Sequence, residues 1–321
     1  MKIVILDGAG ANPGDISWAP LEAYSSVKAY DVTHPEELIA RAAGCEMVIT
    51  NKTPFDEKTL DQLPDLKYIG VLATGYNVVD IEACRKRGIA VTNVPEYGTF
   101  ATAQMTIALL LEIADKVGLH SESVMSGEWV TAPQFSYFKS PLIELADKRM
   151  HIVGFGKIGR RVAAIASALG MKVSATPHNL VSSEETVEGY TVKMLPLEEG
   201  LAGADVVTLH CPLTPETNAL INEERLALMK DGAILLNCSR GPVIDEAAVR
   251  SALDSGRLSG FGADVVSVEP MKADNPLLGA PNTYITPHIA WAPVETRIRL
   301  IQAAADNIGA FLKGERLNRV D

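Results

Sequence analysis

Little in this chain suits a disulfide scaffold, a membrane or a nucleic acid. Among 321 residues there are four cysteines, Cys45, Cys84, Cys211 and Cys238, with no CxxC pair and no zinc-ligand spacing. The expectation is reduced, buried thiols in a reducing compartment. No run of apolar residues approaches the ~20 that a spanning helix needs. The opening Met1-Lys2-Ile3-Val4-Ile5-Leu6-Asp7 reads as an apolar strand ending in an acid, too short and wrongly flanked for a signal peptide. A cytoplasmic protein is expected. Basic residues are outnumbered, 29 Lys and Arg against 40 Asp and Glu, for a net charge of −11. Polyanions need a basic surface, so neither nucleic acid nor an anionic membrane is an expected partner.

What is present is ordinary globular composition, 47% hydrophobic and 21% charged. The length allows two domains at about 150 residues each. Short apolar runs alternate with helix-period segments, the pattern of an α/β protein with parallel sheets covered by helices on both faces. Strands are expected at Lys2–Leu6, Met47–Thr50, Lys67–Leu72 and Ile89–Thr92, with helices near Glu36–Ala43, Asp56–Gln62 and Asp80–Arg87. A long helix over Phe100–Val117 then crosses into a second domain. That domain has strands at Arg149–Val153, Lys172–Ala175, Val206–His210, Ala233–Asn237, Gly260–Asp264 and Tyr284–Thr286, and a helix over Arg160–Leu169. Pro293 opens a final helix with Val294, Ile298, Ile301, Ala305, Ile308 and Leu312 on one face, free to pack back on the first domain. The expected division is residues 1–99 with 290–321, and residues 100–289.

Between the strand Arg149–Val153 and the helix after it lies Gly154-Phe155-Gly156-Lys157-Ile158-Gly159, a GxGxxG loop in the strand–turn–helix context that gives it meaning. The first glycine permits a tight turn and the second lets a pyrophosphate approach the backbone. The third allows close helix–strand packing. The helix N-terminus offers unpaired N–H groups to phosphate. The second domain is therefore read as a Rossmann dinucleotide-binding domain. The acid that usually closes the next strand and bonds the ribose 2′-OH is missing: the strand ends in Thr176-Pro177-His178-Asn179. No Arg stands there either, and the polar groups of Thr176, His178 and Asn179 suit either ribose form. NAD and NADP both stay open.

Three polar residues follow apolar strands in the same half: Arg240 in Asn237-Cys238-Ser239-Arg240-Gly241, Glu269 in Asp264–Pro270, and His288 in Thr286-Pro287-His288. In open α/β sheets the carboxyl ends of strands line the ligand crevice. Reducing a 2-keto acid needs a cation for the carboxylate and carbonyl, which the planar Arg fork supplies. It also needs a proton donor near neutrality, for which His suits, and a carboxylate on the second imidazole nitrogen to orient the ring. No metal is required, because Arg and imidazolium can stabilise the developing charge. In the first domain, Ala73-Thr74-Gly75-Tyr76-Asn77 follows a strand, and its successive N–H groups can form an anion nest. Trp291 can close over a small substrate or serve as packing.

These segments together resemble the D-isomer-specific 2-hydroxyacid dehydrogenases over nearly the whole chain. The glycine loop, His210-Cys211-Pro212-Leu213-Thr214-Pro215-Glu216-Thr217, Asn237–Gly241, Asp264–Pro270 and Pro287-His288 fall in the family's order. The resemblance is to the glycerate dehydrogenase (hydroxypyruvate reductase) branch. It implies a flavodoxin-like substrate domain beside the Rossmann domain, Arg240 as substrate anchor, His288 as acid/base and Glu269 as its partner. Ala73, Thr74, Gly75 and Tyr76 would take the substrate carboxylate. Asp264 would contact the nicotinamide carboxamide, with His210, Cys211, Pro212, Thr217, Cys238, Ser239 and His288 flanking the cofactor and Thr102 approaching the nicotinamide. Formate dehydrogenases, which are relatives, carry Gln where Glu269 stands. Ala101 and Gln104 depart from the family's pattern at the crossover helix. The implied reaction is hydride transfer between NAD(P)H and C2 of a small 2-keto or 2-hydroxy acid, hydroxypyruvate or glyoxylate first, with substrate lying between domains. A phosphoglycerate or other D-2-hydroxyacid dehydrogenase is the alternative, and a dinucleotide-sensing regulator a further one. A homodimer built through the Phe100–Val117 helix and the segment after it is implied as well.

Overall fold

The computed structural model describes residues 1–179 and 182–321. The chain divides into two compact units, Met1–Gly98 with Trp291–Asp321, and Thr99–Ala290.

The first unit holds five strands, β1 (Lys2–Ile5), β2 (Ser26–Ala29), β3 (Met47–Thr50), β4 (Tyr68–Val71) and β5 (Ala90–Thr92). They form a sheet in the order β2-β1-β3-β4-β5, with every pairing parallel. This is the doubly wound order of flavodoxin-like sheets. Because strand side chains alternate, β1 and β3 feed both faces. Ile3, Ile5, Met47 and Ile49 pack with Leu300, Ile301, Ala304, Ala305 and Ile308 of the closing helix Val294–Leu312. Val4, Leu6, Val48 and Ile69 pack with Leu38, Leu60 and Ala83 from the helices of the other face. Asp56 and Asp80 each accept the N–H three residues on and so start two of those helices.

Two expectations change here. On the closing helix, Val294, Ile298 and Leu312 are exposed, and the inward stripe runs through Arg297, Leu300, Ile301, Ala304, Ala305 and Ile308. The expected row keeps the 3.6-residue period but lies along one edge of the buried arc, whose centre carries Arg297 and Ala304, residues too polar or too small to mark it in the sequence. The edge strand β2 is mostly exposed and carried no apolar signal.

The second unit holds β6 (Arg149–Val153), β7 (Lys172–Thr176), β8 (Glu184–Val187), β9 (Tyr190–Met194), β10 (Val206–Leu209), β11 (Ala233–Asn237), β12 (Leu258–Ala263) and β13 (Thr283–Ile285). Their order is β13-β12-β11-β10-β6-β7-β9-β8, parallel except for the antiparallel β8–β9 edge hairpin. Without β8 this is a Rossmann sheet whose direction of winding reverses between β6 and β10. Helices Thr99–Asp115 and Lys157–Ala168 cover one face with Ile107, Leu110, Val162 and Ala166. Leu201, Leu226, Val249 and Leu253, from three shorter helices, cover the other.

The helix expected over Phe100–Val117 ends at Asp115, where Lys116 turns left-handed (φ 48°), and a second helix, Val117–Met125, begins. The helix after the glycine loop begins at Lys157, one turn before Arg160. The β8–β9 hairpin was not anticipated. Its turn, Glu188-Gly189, has positive φ at both residues (48° and 88°) and lacks the Asn-Gly or Asp-Gly signature of such turns.

Candidate active site

The glycine loop stands at the point where the sheet reverses. At Gly154 (φ 93°) an added Cβ would lie 2.5 Å from the Cys211 nitrogen and 2.6 Å from the His210 carbonyl carbon, so the first turn is seated on the residues that follow β10. At Gly159 a Cβ would lie 2.4 Å from the Gly154 oxygen, which brings helix and strand together. At Gly156 a Cβ would meet nothing within 4 Å. That side is open, and the N–H groups of Gly156, Ile158 and Gly159 have no acceptor among the described residues. Phe155 is buried, with the Arg160 guanidinium over its ring at 4.8 Å, and Ile158 packs on the core, so in both the side chain is committed to packing. Lys157 is the first residue of the helix. An open backbone with unpaired donors at a helix N-terminus fits a dinucleotide pyrophosphate.

At the end of β7 the Thr176 hydroxyl is already used: it donates to the Leu195 carbonyl at 2.8 Å and meets His151 Nε2 at 3.0 Å. His151 Nδ1 lies 2.9 Å from the Ser174 hydroxyl, and burial pushes the ring down to about 4, so it is neutral. Pro177 and then the exposed His178 follow. The Thr214 hydroxyl holds the Glu216 carboxyl below its ordinary range. In the same loop, after β10, Thr217 donates to the Pro212 carbonyl at 2.6 Å and accepts the Thr214 N–H at 2.7 Å. His210 Nε2 meets the Thr208 hydroxyl at 2.9 Å, while its Nδ1 is buried without a partner among the described residues. An orphaned ring nitrogen beside the winding reversal is the kind of group a bound polar ligand satisfies.

After β11, the fully buried Asn237 builds the next turn. Its oxygen accepts the Ser239 N–H (3.1 Å) and hydroxyl (2.8 Å), and its amide donates to the Arg240 carbonyl at 2.9 Å. Cys238 is buried, and burial pushes its thiol up to about 12, so it is a packing residue and no nucleophile. Thr106 contacts that thiol and donates to the Thr102 carbonyl at 2.9 Å. The exposed Arg240 uses Nη1 on the Ser239 carbonyl at 2.7 Å.

Asp264, 1% exposed, follows β12. Its carboxylate accepts from the Thr286 hydroxyl (2.5 Å) and from the backbone N–H groups of Ile289 (2.8 Å) and Ala290 (2.7 Å). Those three bonds hold the turn in which His288 is left-handed (φ 56°), a conformation that a non-glycine residue keeps only when its surroundings fix it. His288 Nδ1 then meets Glu269 Oε2 at 2.7 Å, and Nε2 has no partner among the described residues. The other Glu269 oxygen accepts the Val266 N–H at 3.3 Å. Sequence reasoning missed Asn237 and His151. Both are polar residues in otherwise apolar strands, and that is the signal by which they can be found.

In the first unit, the Ala73–Tyr76 loop spends its acceptors and keeps its donors. The Ala73 carbonyl takes the Val94 N–H at 3.0 Å, the Thr74 carbonyl takes Asn93 Nδ2 at 2.7 Å, and the Thr74 hydroxyl donates to the Val94 carbonyl at 3.1 Å. The N–H groups of Thr74, Gly75 and Tyr76 have no acceptor among the described residues. Three successive unpaired amides suit an anion. Trp291 packs edge-on to Tyr97, ring centroids 6.5 Å apart.

A parallel sheet with a glycine loop at its winding reversal and an imidazole–carboxylate pair at neighbouring strand ends defines a dinucleotide-dependent oxidoreductase. Residues 107–290 match the family model of the D-isomer specific 2-hydroxyacid dehydrogenase NAD binding domain. The chain is 48% identical to a hydroxypyruvate reductase of Blautia hydrogenotrophica, covering 100% of both. It is 40% identical to a glycerate dehydrogenase of Methylorubrum extorquens over 92% of this chain and 91% of that one. The crystal structure of the TT0316 protein from Thermus thermophilus superposes with a TM-score of 0.87 at 36% identity, covering 100% of both. The chain belongs to the D-isomer-specific 2-hydroxyacid dehydrogenase family. It is an oxidoreductase with an NAD-binding domain, and its small-molecule substrate is a 2-hydroxy or 2-keto acid.

Proposed function

We propose that the protein reduces hydroxypyruvate and glyoxylate to D-glycerate and glycolate with NADH or NADPH. The observation that carries the acid/base part is the 2.7 Å bond between His288 Nδ1 and Glu269, which commits Nδ1 and leaves Nε2 as the free edge of the ring. The substrate rests on full-length similarity to a hydroxypyruvate reductase.

In this reading residues 100–289 bind the dinucleotide, and residues 1–99 with 290–321 form the substrate domain. Glycines 154, 156 and 159, with Phe155, Lys157 and Ile158, form the pyrophosphate loop. Thr102, Thr176, Pro177, His178, His210, Cys211, Pro212, Thr217, Cys238, Ser239 and Asp264 shape the rest of the cofactor site. The bound nicotinamide supplies the hydride. Arg240 takes the substrate carboxylate and carbonyl through its planar fork, so negative charge growing on the carbonyl oxygen meets a fixed cation. His288 gives its Nε2 proton to that oxygen as it becomes an alkoxide, and Glu269 stabilises the imidazolium before transfer and holds the ring in line. The Thr74, Gly75 and Tyr76 amides offer the carboxylate further donors, and Trp291 bounds the substrate. Asp264, whose carboxylate already accepts three bonds in fixing the His288 turn, retains about one acceptor position, on Oδ2, for the carboxamide.

The test is loss of reduced-nicotinamide absorbance with hydroxypyruvate, glyoxylate, pyruvate and 3-phosphohydroxypyruvate, each with NADH and NADPH. Turnover is expected first with hydroxypyruvate. No turnover with any 2-keto acid would defeat the reading, and preference for the phosphorylated acid would favour a phosphoglycerate dehydrogenase.

We also propose a cytoplasmic homodimer. Four free thiols suit a reducing compartment. The stretch after the long helix leaves Met125, Val130, Phe135 and Phe138 three-quarters or more exposed, an apolar surface that suits a second copy. Light scattering should give twice the chain mass, and Phe135→Asp with Phe138→Asp should give the monomer.

A further inference from the structure

Glu246 is a carboxylate that the reaction as read above does not use, and it lies close to the groups that the reaction does use. It is the first residue of the helix Glu246–Asp254, yet only 9% exposed. Oε1 accepts the Ser267 N–H at 2.7 Å, and Oε2 accepts the Ser267 hydroxyl at 2.6 Å and Asn275 Nδ2 at 2.9 Å. All three donors are neutral. A helix N-terminus welcomes negative charge at an exposed position as well, so the dipole by itself does not call for burial. The burial therefore serves what the carboxylate holds, and that is Ser267, two residues before Glu269.

The backbone at Val266 and Ser267 is fixed from two further directions. At Gly241, next to Arg240, an added Cβ would lie 2.0 Å from the Val266 carbonyl carbon and 2.3 Å from the Ser267 nitrogen, so the two backbones lie against each other. The Val266 N–H donates to Glu269 Oε1 at 3.3 Å, and the other oxygen of that carboxylate meets His288. Two successive peptide units are thus linked: Val266–Ser267 lies against the Arg240 loop and is tied down by Glu246, and the Val266 N–H, on the peptide before it, holds the acid that orients the imidazole.

Resting on the reading of His288 and Glu269 as the acid/base pair, we propose that Glu246 is a positioning residue for that pair: through Ser267 it fixes the Val266–Ser267 peptide, and the adjoining Val266 N–H sets Glu269 on His288 in register with Arg240. It touches neither substrate nor cofactor. Its loss lets the peptide shift by fractions of an ångström, and proton delivery is more sensitive to such a shift than binding is.

The full chain is made as Glu246→Ala, Glu246→Gln and Ser267→Ala, and each is read for kcat, KM, dinucleotide dissociation constant, thermal midpoint and the low-field imidazole N–H resonance that His288→Ala removes. Glu246→Ala should lower kcat by about 10–100-fold, the range a small misplacement produces. KM and the dinucleotide constant should stay within about threefold, and the resonance should shift or broaden. Glu246→Gln keeps an acceptor for the Ser267 N–H and should recover most of kcat, and Ser267→Ala should lose about threefold. Unchanged kcat and resonance in Glu246→Ala would overturn the inference, as would a loss seen only in the dinucleotide constant. If Glu246→Ala does not fold, Ser267→Ala decides, and an unchanged kcat and resonance there overturns it. The resonance separates the two levels: a protein that turns over no 2-keto acid but shifts that signal in Glu246→Ala refutes the functional reading and leaves the positioning role standing.

Discussion

The strand-end loops of the second unit and the Ala73–Tyr76 loop of the first are stiffened by different chemistry. Around Arg240, Glu269 and His288 the braces include carboxylates accepting backbone N–H groups: Asp264 from Ile289 and Ala290, and Glu246 from Ser267. Around Ala73–Tyr76 the braces are amides. Asn51 donates to the Leu72 carbonyl at 2.7 Å and Asn93 to the Thr74 carbonyl at 2.7 Å. Asn307 in turn donates to the Asn93 carbonyl at 2.9 Å and accepts from Asn318 at 2.9 Å. The difference follows from what each loop must present. A loop that offers N–H groups to an anion needs its carbonyls covered, and amide donors cover carbonyls without adding charge of either sign. A loop that carries an imidazole with a proton to give needs its N–H groups covered, and one carboxylate can accept several of them at once.

The comparison can be broken at several points, the largest effect coming from backbone contact. Gly241→Ala puts a Cβ into the Val266–Ser267 peptide, and such an overlap should lower stability by about 3 kcal/mol and remove turnover. Thermal unfolding and assay of the remaining folded protein check it. Arg240→Lys keeps the charge but not the fork, and kcat/KM should fall about 10²-fold with dinucleotide binding unchanged, as steady-state kinetics beside a fluorescence titration would show. Asn93→Ala uncovers the Thr74 carbonyl, and KM for the keto acid should rise several-fold, roughly the value of one hydrogen bond, with kcat retained. A fall in kcat there instead would mean that the two loop systems do not divide the work as described.

A further contrast concerns pH. Buried His151 is neutral when folded, pushed down to about 4 from an ordinary 6.5, so the unfolded chain binds the proton first. The folded state therefore loses stability as pH falls through 6.5, and the loss is complete near 4. Between pH 7 and pH 5 it amounts to about 2 kcal/mol. Urea unfolding at both pH values should show a loss smaller by about that amount in His151→Leu than in the parent. The amide-braced loop offers no such handle, because Asn51, Asn93, Asn307 and Asn318 do not titrate.

Much of this was legible beforehand, for identifiable reasons. Strands β3 and β11 are near-continuous apolar runs, as strands covered on both faces tend to be. The glycine loop declares itself through the strand before it and the helix after it. Arg240, Glu269 and His288 stood out because charged groups just past apolar strands need a reason to be there. The braces were not legible. Asp264 takes two of its three bonds from backbone N–H groups and Glu246 one of three, and the partner in each bond is set by tertiary packing, which the sequence does not display. The left-handed turn at His288 is invisible for the same reason. The β8–β9 hairpin hid because Glu184-Glu185-Thr186-Val187 is a polar edge strand. The full use of the Thr176 hydroxyl by Leu195 and His151 was hidden too, and it leaves His178 as the exposed polar side chain before Asn179 at the end of β7.

The central claim is that a Glu269-oriented His288 delivers the proton in a nicotinamide-linked reduction of a 2-keto acid. Its most direct test follows the absorbance of reduced nicotinamide with hydroxypyruvate for the parent protein and His288→Ala side by side, with the dinucleotide dissociation constant measured on both. The account predicts steady consumption by the parent, a rate lower by about 10²–10⁴-fold in the variant, and the same dissociation constant for both. Equal rates in the two proteins would contradict it.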